Sequence, residues 1–177
     1  MKEIKLNLGC GKDIKKEYIN IDRIKLPGVD IQHDLNKLPL PFKTNYADEV
    51  ILKHVLEHIH KHQLKDFLRE IHRITKPTGK IYINVPYFFS SYAVLDLEHE
   101  NFFVWQTLAC LCSAELYNYL LEKRFVFLEQ RFGMLSHIPI YKEILPKFAT
   151  LFPKFYERFL AKIFTCDEIQ HVIRPIK

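Results

Sequence analysis

Two groups of residues in this chain have the types and spacing that could do chemistry. The first is the turn Gly9-Cys10-Gly11, which follows "IKLNL" and is itself followed by Asp22 at the end of "YINID" and Asp34 at the end of "VDIQHD". Glycines after a strand leave bare backbone that a ligand can approach, and a carboxylate at the next strand end can accept hydrogen bonds from the two hydroxyls of a ribose. A dinucleotide site would need a third glycine and a helix N-terminus for the pyrophosphate, and Ile14 stands where that glycine would be. A glycine turn with acids at two successive strand ends describes a nucleoside-binding edge with little provision for phosphate.

The second group is rich in histidine. "HVLEHIHKH" supplies His54, Glu57, His58, His60 and His62, and "PYFFSSYAVLDLEHENFF" supplies Tyr87, Asp96 and His99. A structural zinc site needs four converging ligands and a catalytic one three. His54 with His58 is the i, i+4 pair singled out here, and two ligands fall short of either kind of site, so no metal is expected.

The elements that must position these groups follow from periodicity. Short apolar runs bounded by turn residues read as strands over 4–8, 18–22, 29–34, 48–53 and 80–86. Before the last of them, Leu64, Phe67, Leu68, Ile71 and Ile74 recur at helical spacing, and "KPTGK" stops that helix, because Pro77 cannot continue it and Gly79 supplies the turn. Helix, turn and buried strand form a crossover unit. Further on, 114–124 reads as a helix, 125–134 as a strand and 168–177 as a last strand that makes the sheet mixed. Over about 154–164, Phe155, Phe159 and Ile163, with Tyr156, Leu160 and Phe164, oppose Lys154, Arg158 and Lys162, which is an amphipathic helix with a basic side. The expected fold is an α/β, Rossmann-like three-layer sandwich with a mostly parallel seven-stranded sheet and a late antiparallel strand. One domain spans 1–177, with a cofactor-binding half over 1–86 and a substrate-side half over 87–177.

The bulk numbers narrow the classes. At 177 residues, with 48% hydrophobic and 27% charged residues, the chain can bury a core without disulfides and is not a disordered polymer. A formal charge of +5 permits anionic partners but selects none, and the charge is dispersed, which makes a nucleic-acid partner an unfavoured reading. Cys10, Cys110, Cys112 and Cys166 form no C-x-x-C pair, so reduced thiols are expected. The opening "MKEIKLNLGCG" has no apolar signal region and no run reaches the 18 to 20 residues of a spanning helix. A cytoplasmic protein is expected, with peripheral membrane contact left open.

Five motifs in register carry a family resemblance. "LNLGCGKD", "INIDR", "HDLNKLPLPF", "ADEVILKHVLEHI" and "LREIHRITKPTGKIYINVP" together resemble the ordered motifs of class I S-adenosylmethionine-dependent methyltransferases over residues 5–86. The resemblance implies that Gly9 and Gly11, with Asn7 and Cys10 in the same turn, lie under the amino-acid part of S-adenosylmethionine. It further implies that Asp22 binds the ribose, that Asp34 with Leu35 frames the adenine, and that Lys53 and His54 lie near the methionine portion. Asn7 stands where the family usually has an acid, and Asp13 where a small residue is common. The short stretch between Gly11 and the second strand leaves no room for a full first helix, so a single turn or none is expected, as in the branch with a shortened first crossover.

Methyl transfer from a sulfonium is an in-line displacement in which alignment supplies much of the rate, and a base is needed only where the acceptor must lose a proton. His99 or His58 is the expected base. The acceptor is read as a small molecule, a sugar or a lipid-linked glycan. The basic amphipathic helix reads as a lid or homodimer contact, or as a membrane-surface element. A non-catalytic S-adenosylmethionine-binding protein and an NAD-dependent oxidoreductase are the alternative readings.

Overall fold

The computed structural model describes residues 3–111, 124–135 and 139–177. One seven-stranded sheet organises them, in the order β3-β2-β1-β4-β5-β7-β6. Its strands are β1 (Lys5–Leu8), β2 (Ile19–Asp22), β3 (Ile31–Gln32), β4 (Ala47–Lys53), β5 (Thr75–Pro86), β6 (Phe125–Gly133) and β7 (Glu168–Pro175). β1 to β5 run parallel, and β7 enters antiparallel between β5 and β6. This is the doubly wound, late-antiparallel sheet expected from the sequence.

The core lies where the apolar residues of the central strands meet the helix stripe. Leu6, Leu8, Val50, Leu52, Ile81 and Ile83 are fully buried, and α1 (Leu64–Ile74) adds Phe67, Leu68, Ile71 and Ile74. α1 stops at Ile74, where the Thr75 hydroxyl donates to the Ile71 carbonyl at 2.7 Å. The Pro77–Gly79 turn survives as an irregularity inside β5, because Ala47 pairs with Thr75 but Glu49 with Lys80. β5 therefore starts earlier than the 80–86 expected.

The connection from β1 to β2 contains no helix among the described residues. Two buried asparagines take over its structural work. Asn7 Nδ2 donates to the Asp13 carbonyl (2.8 Å) and to Asn20 Oδ1 (3.0 Å), and Asn20 Oδ1 also accepts from Lys15 N (3.0 Å). These bonds satisfy backbone groups that a helical turn would have satisfied internally.

Three elements differ from expectation. β3 is only two residues long rather than 29–34. The helix expected over 154–164 is instead a turn at Pro153–Phe155 continued by a π-helical stretch at Tyr156–Leu160. Its apolar face does not turn inward as one stripe, since Tyr156 is buried while Phe159 and Ile163 are 57% and 73% exposed. The preceding helix, Pro139–Leu151, which carries Pro146 in its interior, has no counterpart among the expected elements. The helix expected over 114–124 falls, but for Arg124, on residues outside those described.

Candidate functional site

The glycine turn closes the carboxyl end of β1. Gly9 (φ 65°) and Gly11 (φ 49°) both occupy the left-handed region that glycine adopts without strain. At Gly9 the space is also taken, since a Cβ would lie 2.6 Å from Val55 Cγ2. The Gly11 amide donates to Asp22 Oδ2 at 2.7 Å, and Asp22 Oδ1 accepts from the Ile24 amide at 2.9 Å. An amide engaged by a carboxylate is not offered to a phosphate, and the acid it holds retains lone pairs for ribose hydroxyls.

Gly9, Gly11, Asp22, Asp34, Leu35, His54 and His58 all line one cleft of about 330 Å³ at the carboxyl ends of the parallel strands. Its outer edge is bridged by Arg23, whose Nη2 lies 2.8 Å from Glu98 Oε2. An adjoining hollow of about 230 Å³ shares Gly9 and His54 and is lined also by Asn7, Cys10, Asp13 and Lys53. Lys53 Nζ lies 3.2 Å from Asp13 Oδ2 at its mouth. Burial would raise the Asp13 carboxyl, but Lys53 and Lys15 outweigh it and hold the group below the usual range. Burial pushes the Cys10 thiol up, so it fills the turn as a small neutral side chain. Asn7 faces this hollow only through its surroundings, its amide being committed to the crossover.

His54 begins the loop after β4 with φ 55° and is held by two acids. Its Nδ1 lies 3.3 Å from Glu57 Oε1 and its Nε2 3.2 Å from Glu168 Oε2. Burial alone would depress the imidazole, but Glu168 and Glu57 outweigh it and hold it above the ordinary histidine range, so that it is cationic at neutral pH. Glu168 is a partner the sequence reading did not single out. It comes from the start of β7, and no local spacing ties it to His54.

The loop after α2 (Ser91–Leu95) is latched onto the turn after β4. Asn101 Nδ2 donates to the carbonyls of Leu56 (2.9 Å) and Ile59 (2.6 Å), and the Glu100 amide donates to Glu57 O at 2.8 Å. Glu100 also holds His60 Nδ1 at 2.7 Å and the Lys61 amide at 2.9 Å. This latch brings His99 against His58, with ring centroids 4.7 Å apart and planes at 69°. His60 and His62 stack on each other outside the cleft. Tyr87 is fully buried in an aromatic cluster with Phe132 and Tyr156 and does not line the cleft.

The site fits S-adenosylmethionine: bare backbone at Gly9, acids at the ends of β2 and β3, and no amide nest for pyrophosphate. Residues 6–83, a little under half of the chain, match the family model of a methyltransferase domain, and that match together with the fold and the cradle supports a class I S-adenosylmethionine-dependent methyltransferase, an enzyme whose cofactor is S-adenosylmethionine.

Solved structures that share this fold include three described as methyltransferases. A methyltransferase from Archaeoglobus fulgidus shares 18% identity and superposes with a TM-score of 0.63, covering 98% of this chain and 86% of its own. A putative methyltransferase in complex with the Haloferax volcanii Trm112 activator gives 17% identity and 0.58, covering 99% and 83%. The Burkholderia thailandensis 1,6-didemethyltoxoflavin-N1-methyltransferase, solved with its substrate and S-adenosylhomocysteine, gives 15% and 0.56, covering 98% and 71%. No curated protein sequence matches the chain.

Proposed function

We propose that the enzyme methylates a hydroxyl group on a sugar or lipid-linked glycan, or on a small molecule with an apolar part, and that Gly9, Gly11, Asp22, Asp34, Leu35, Lys53 and His54 hold the cofactor. The observation that carries this reading is the composition of the cleft: ribose-type acids at one end, His58 on its wall, and an apolar rim at its mouth. Bound S-adenosylmethionine would supply an electrophilic methyl group, transferred in line to the acceptor as S-adenosylhomocysteine leaves. In this reading cationic His54 and Lys53 offer positive charge to the methionine carboxylate. His58 and His99 are the groups placed to act on the acceptor hydroxyl, His99 having committed Nδ1 to the Ala93 carbonyl at 2.9 Å and kept Nε2 free.

The rim supports an acceptor that is partly apolar. Leu95 and Leu97 are 75% and 100% exposed on either side of Asp96, itself a cleft residue. Phe155, Phe159 and Ile163 add a second exposed apolar face, with Lys154, Arg158 and Lys162 beside it. That pairing favours peripheral contact of a cytoplasmic enzyme with an anionic bilayer, over a homodimer contact. Among the described residues no helix is long and apolar enough to cross a membrane.

Calorimetry with S-adenosylmethionine, S-adenosylhomocysteine and NAD tests the cofactor assignment. The first two should bind and NAD should not. Asp22→Ala removes two hydrogen bonds to a charged group, each contributing about 1.5–3 kcal/mol, so affinity should fall by a factor of roughly 100 or more. Binding of NAD, or unaltered affinity in a folded Asp22→Ala variant, would overturn the assignment.

A further inference from the structure

Behind the cleft wall formed by His58 lies one group of side chains whose convergence methyl transfer does not require. Glu57 is buried, with its side chain 1% exposed, yet neither carboxylate oxygen makes a hydrogen bond. Among the described residues its charged partner is His54, whose Nδ1 lies 3.3 Å from Oε1, so a cation faces one oxygen and Oε2 has none. The Nδ1 atom of His58 is likewise buried without a partner. A carboxylate taken out of water without hydrogen bonds is costly unless a cation completes it.

Glu57, His58 and His99 each offer one donor atom, and these atoms lie within 4.8 Å of one another. The sequence hides this convergence, since His99 lies 41 positions from His58 and arrives only because Asn101 and Glu100 latch its loop to the β4 turn. His99 is oriented as a metal-binding histidine usually is. Its Nδ1 is tied to the Ala93 carbonyl at 2.9 Å, which leaves the Nε2 lone pair directed away from that bond. A tetrahedral ion with bonds of 2.0–2.2 Å would draw the donors in to about 3.4 Å of one another. That closure is a rotation of the two half-buried imidazoles.

We propose that Glu57, His58 and His99 form a binding site for a first-row divalent cation of the zinc or cobalt type. Two imidazole nitrogens and one carboxylate oxygen suit such ions better than magnesium or calcium, which favour all-oxygen shells. Three protein ligands leave a coordination position open, and His58 lines the cleft. A cation held there would lie at the cleft wall, where it would orient an acceptor hydroxyl and lower its pKa, the proton passing to solvent. It would replace His58 and His99 as direct proton acceptors, since their lone pairs would be on the metal. This revises the expectation of no metal. The role given to the cation rests on the methyl-transfer reading, but its binding does not.

The test uses the full chain stripped of metal by chelation, with neither cofactor nor acceptor present. Calorimetric titration with Zn²⁺, Co²⁺ and Mg²⁺, and the visible absorption of bound Co²⁺, should show one Zn²⁺ or Co²⁺ per chain and markedly weaker Mg²⁺. His99→Ala and, separately, His58→Ala should weaken Co²⁺ by more than the 10- to 100-fold typical of an outer partner. S-adenosylmethionine affinity in His99→Ala should stay within about twofold, as expected for a residue outside the cofactor cradle. The variant His62→Ala, which removes a surface imidazole that takes no part in the latch, should leave Co²⁺ affinity unchanged. The proposal is overturned if Zn²⁺ and Co²⁺ fail to bind at millimolar concentration, if His99→Ala binds like the parent, or if the surface variant loses the ion. Cobalt binding without S-adenosylmethionine binding would sink the methyl-transfer reading and leave the metal site standing.

Discussion

Acidification should unfold this protein through a histidine outside the cleft. His171 on β7 is buried, neither ring nitrogen has a hydrogen-bond partner, and burial alone pushes its pKa down to about 3. A base depressed in the folded state is protonated first in the unfolded chain, near 6.5. Its neutral form therefore supports the fold fully above pH 6.5, and that support drains away as the pH falls from 6.5 towards 3. The slope is about 1.4 kcal/mol per pH unit, so moving from pH 7 to pH 5 should remove about 2 kcal/mol from this residue alone. For a chain of this size that corresponds to roughly 4–8 °C in melting temperature. Urea unfolding of the parent and of His171→Leu at both pH values isolates it, since every other titrating group is common to the two proteins. The loss on acidification should be about 2 kcal/mol smaller in the variant. Equal losses would mean that His171 is solvated or charged in the folded state, and the reasoning would fail.

Other perturbations probe the site. Asn101→Ala leaves the carbonyls of Leu56 and Ile59 without their donor, which should cost about 2–4 kcal/mol in denaturant unfolding; amide exchange over 96–101 should rise with it. Gly9→Ala adds both a left-handed penalty and the 2.6 Å clash with Val55, whereas Gly11→Ala meets nothing within 4 Å and bears only the penalty of about 1–2 kcal/mol. Thermal melts should therefore rank Gly9→Ala well below Gly11→Ala, and a reversed order would refute the packing account.

Residues with local causes were legible in the sequence. Strand alternation and the helical stripe of Phe67, Leu68, Ile71 and Ile74 placed the sheet, and with it most residues of the cleft, because the glycine turn and the strand-end acids are short-range features. Long-range arrivals were not. Glu168 reaches His54 from β7, and His99 meets His58 only through hydrogen bonds made by Asn101 and Glu100, for which no periodicity exists. The helix Pro139–Leu151 carries Pro146 in its interior, and no clean helical stripe announces it in the sequence. Asn7 and Asn20 tie the first crossover together through bonds to each other and to the backbone of Asp13 and Lys15, which no local spacing reveals.

The insertion of β7 between β5 and β6 has a consequence for how the protein is made. Asn84 and Glu168 become hydrogen-bonded neighbours although they lie 84 positions apart. At a synthesis rate of 5–20 residues per second, the second edge of β5 waits roughly 4–17 s for its partner strand. During that interval "KIYINV" presents unpaired backbone and alternating apolar side chains to every other nascent chain nearby. The charge cluster around His54 is also incomplete until β7 is made, so the completed site and the protected sheet emerge from the ribosome in the same event.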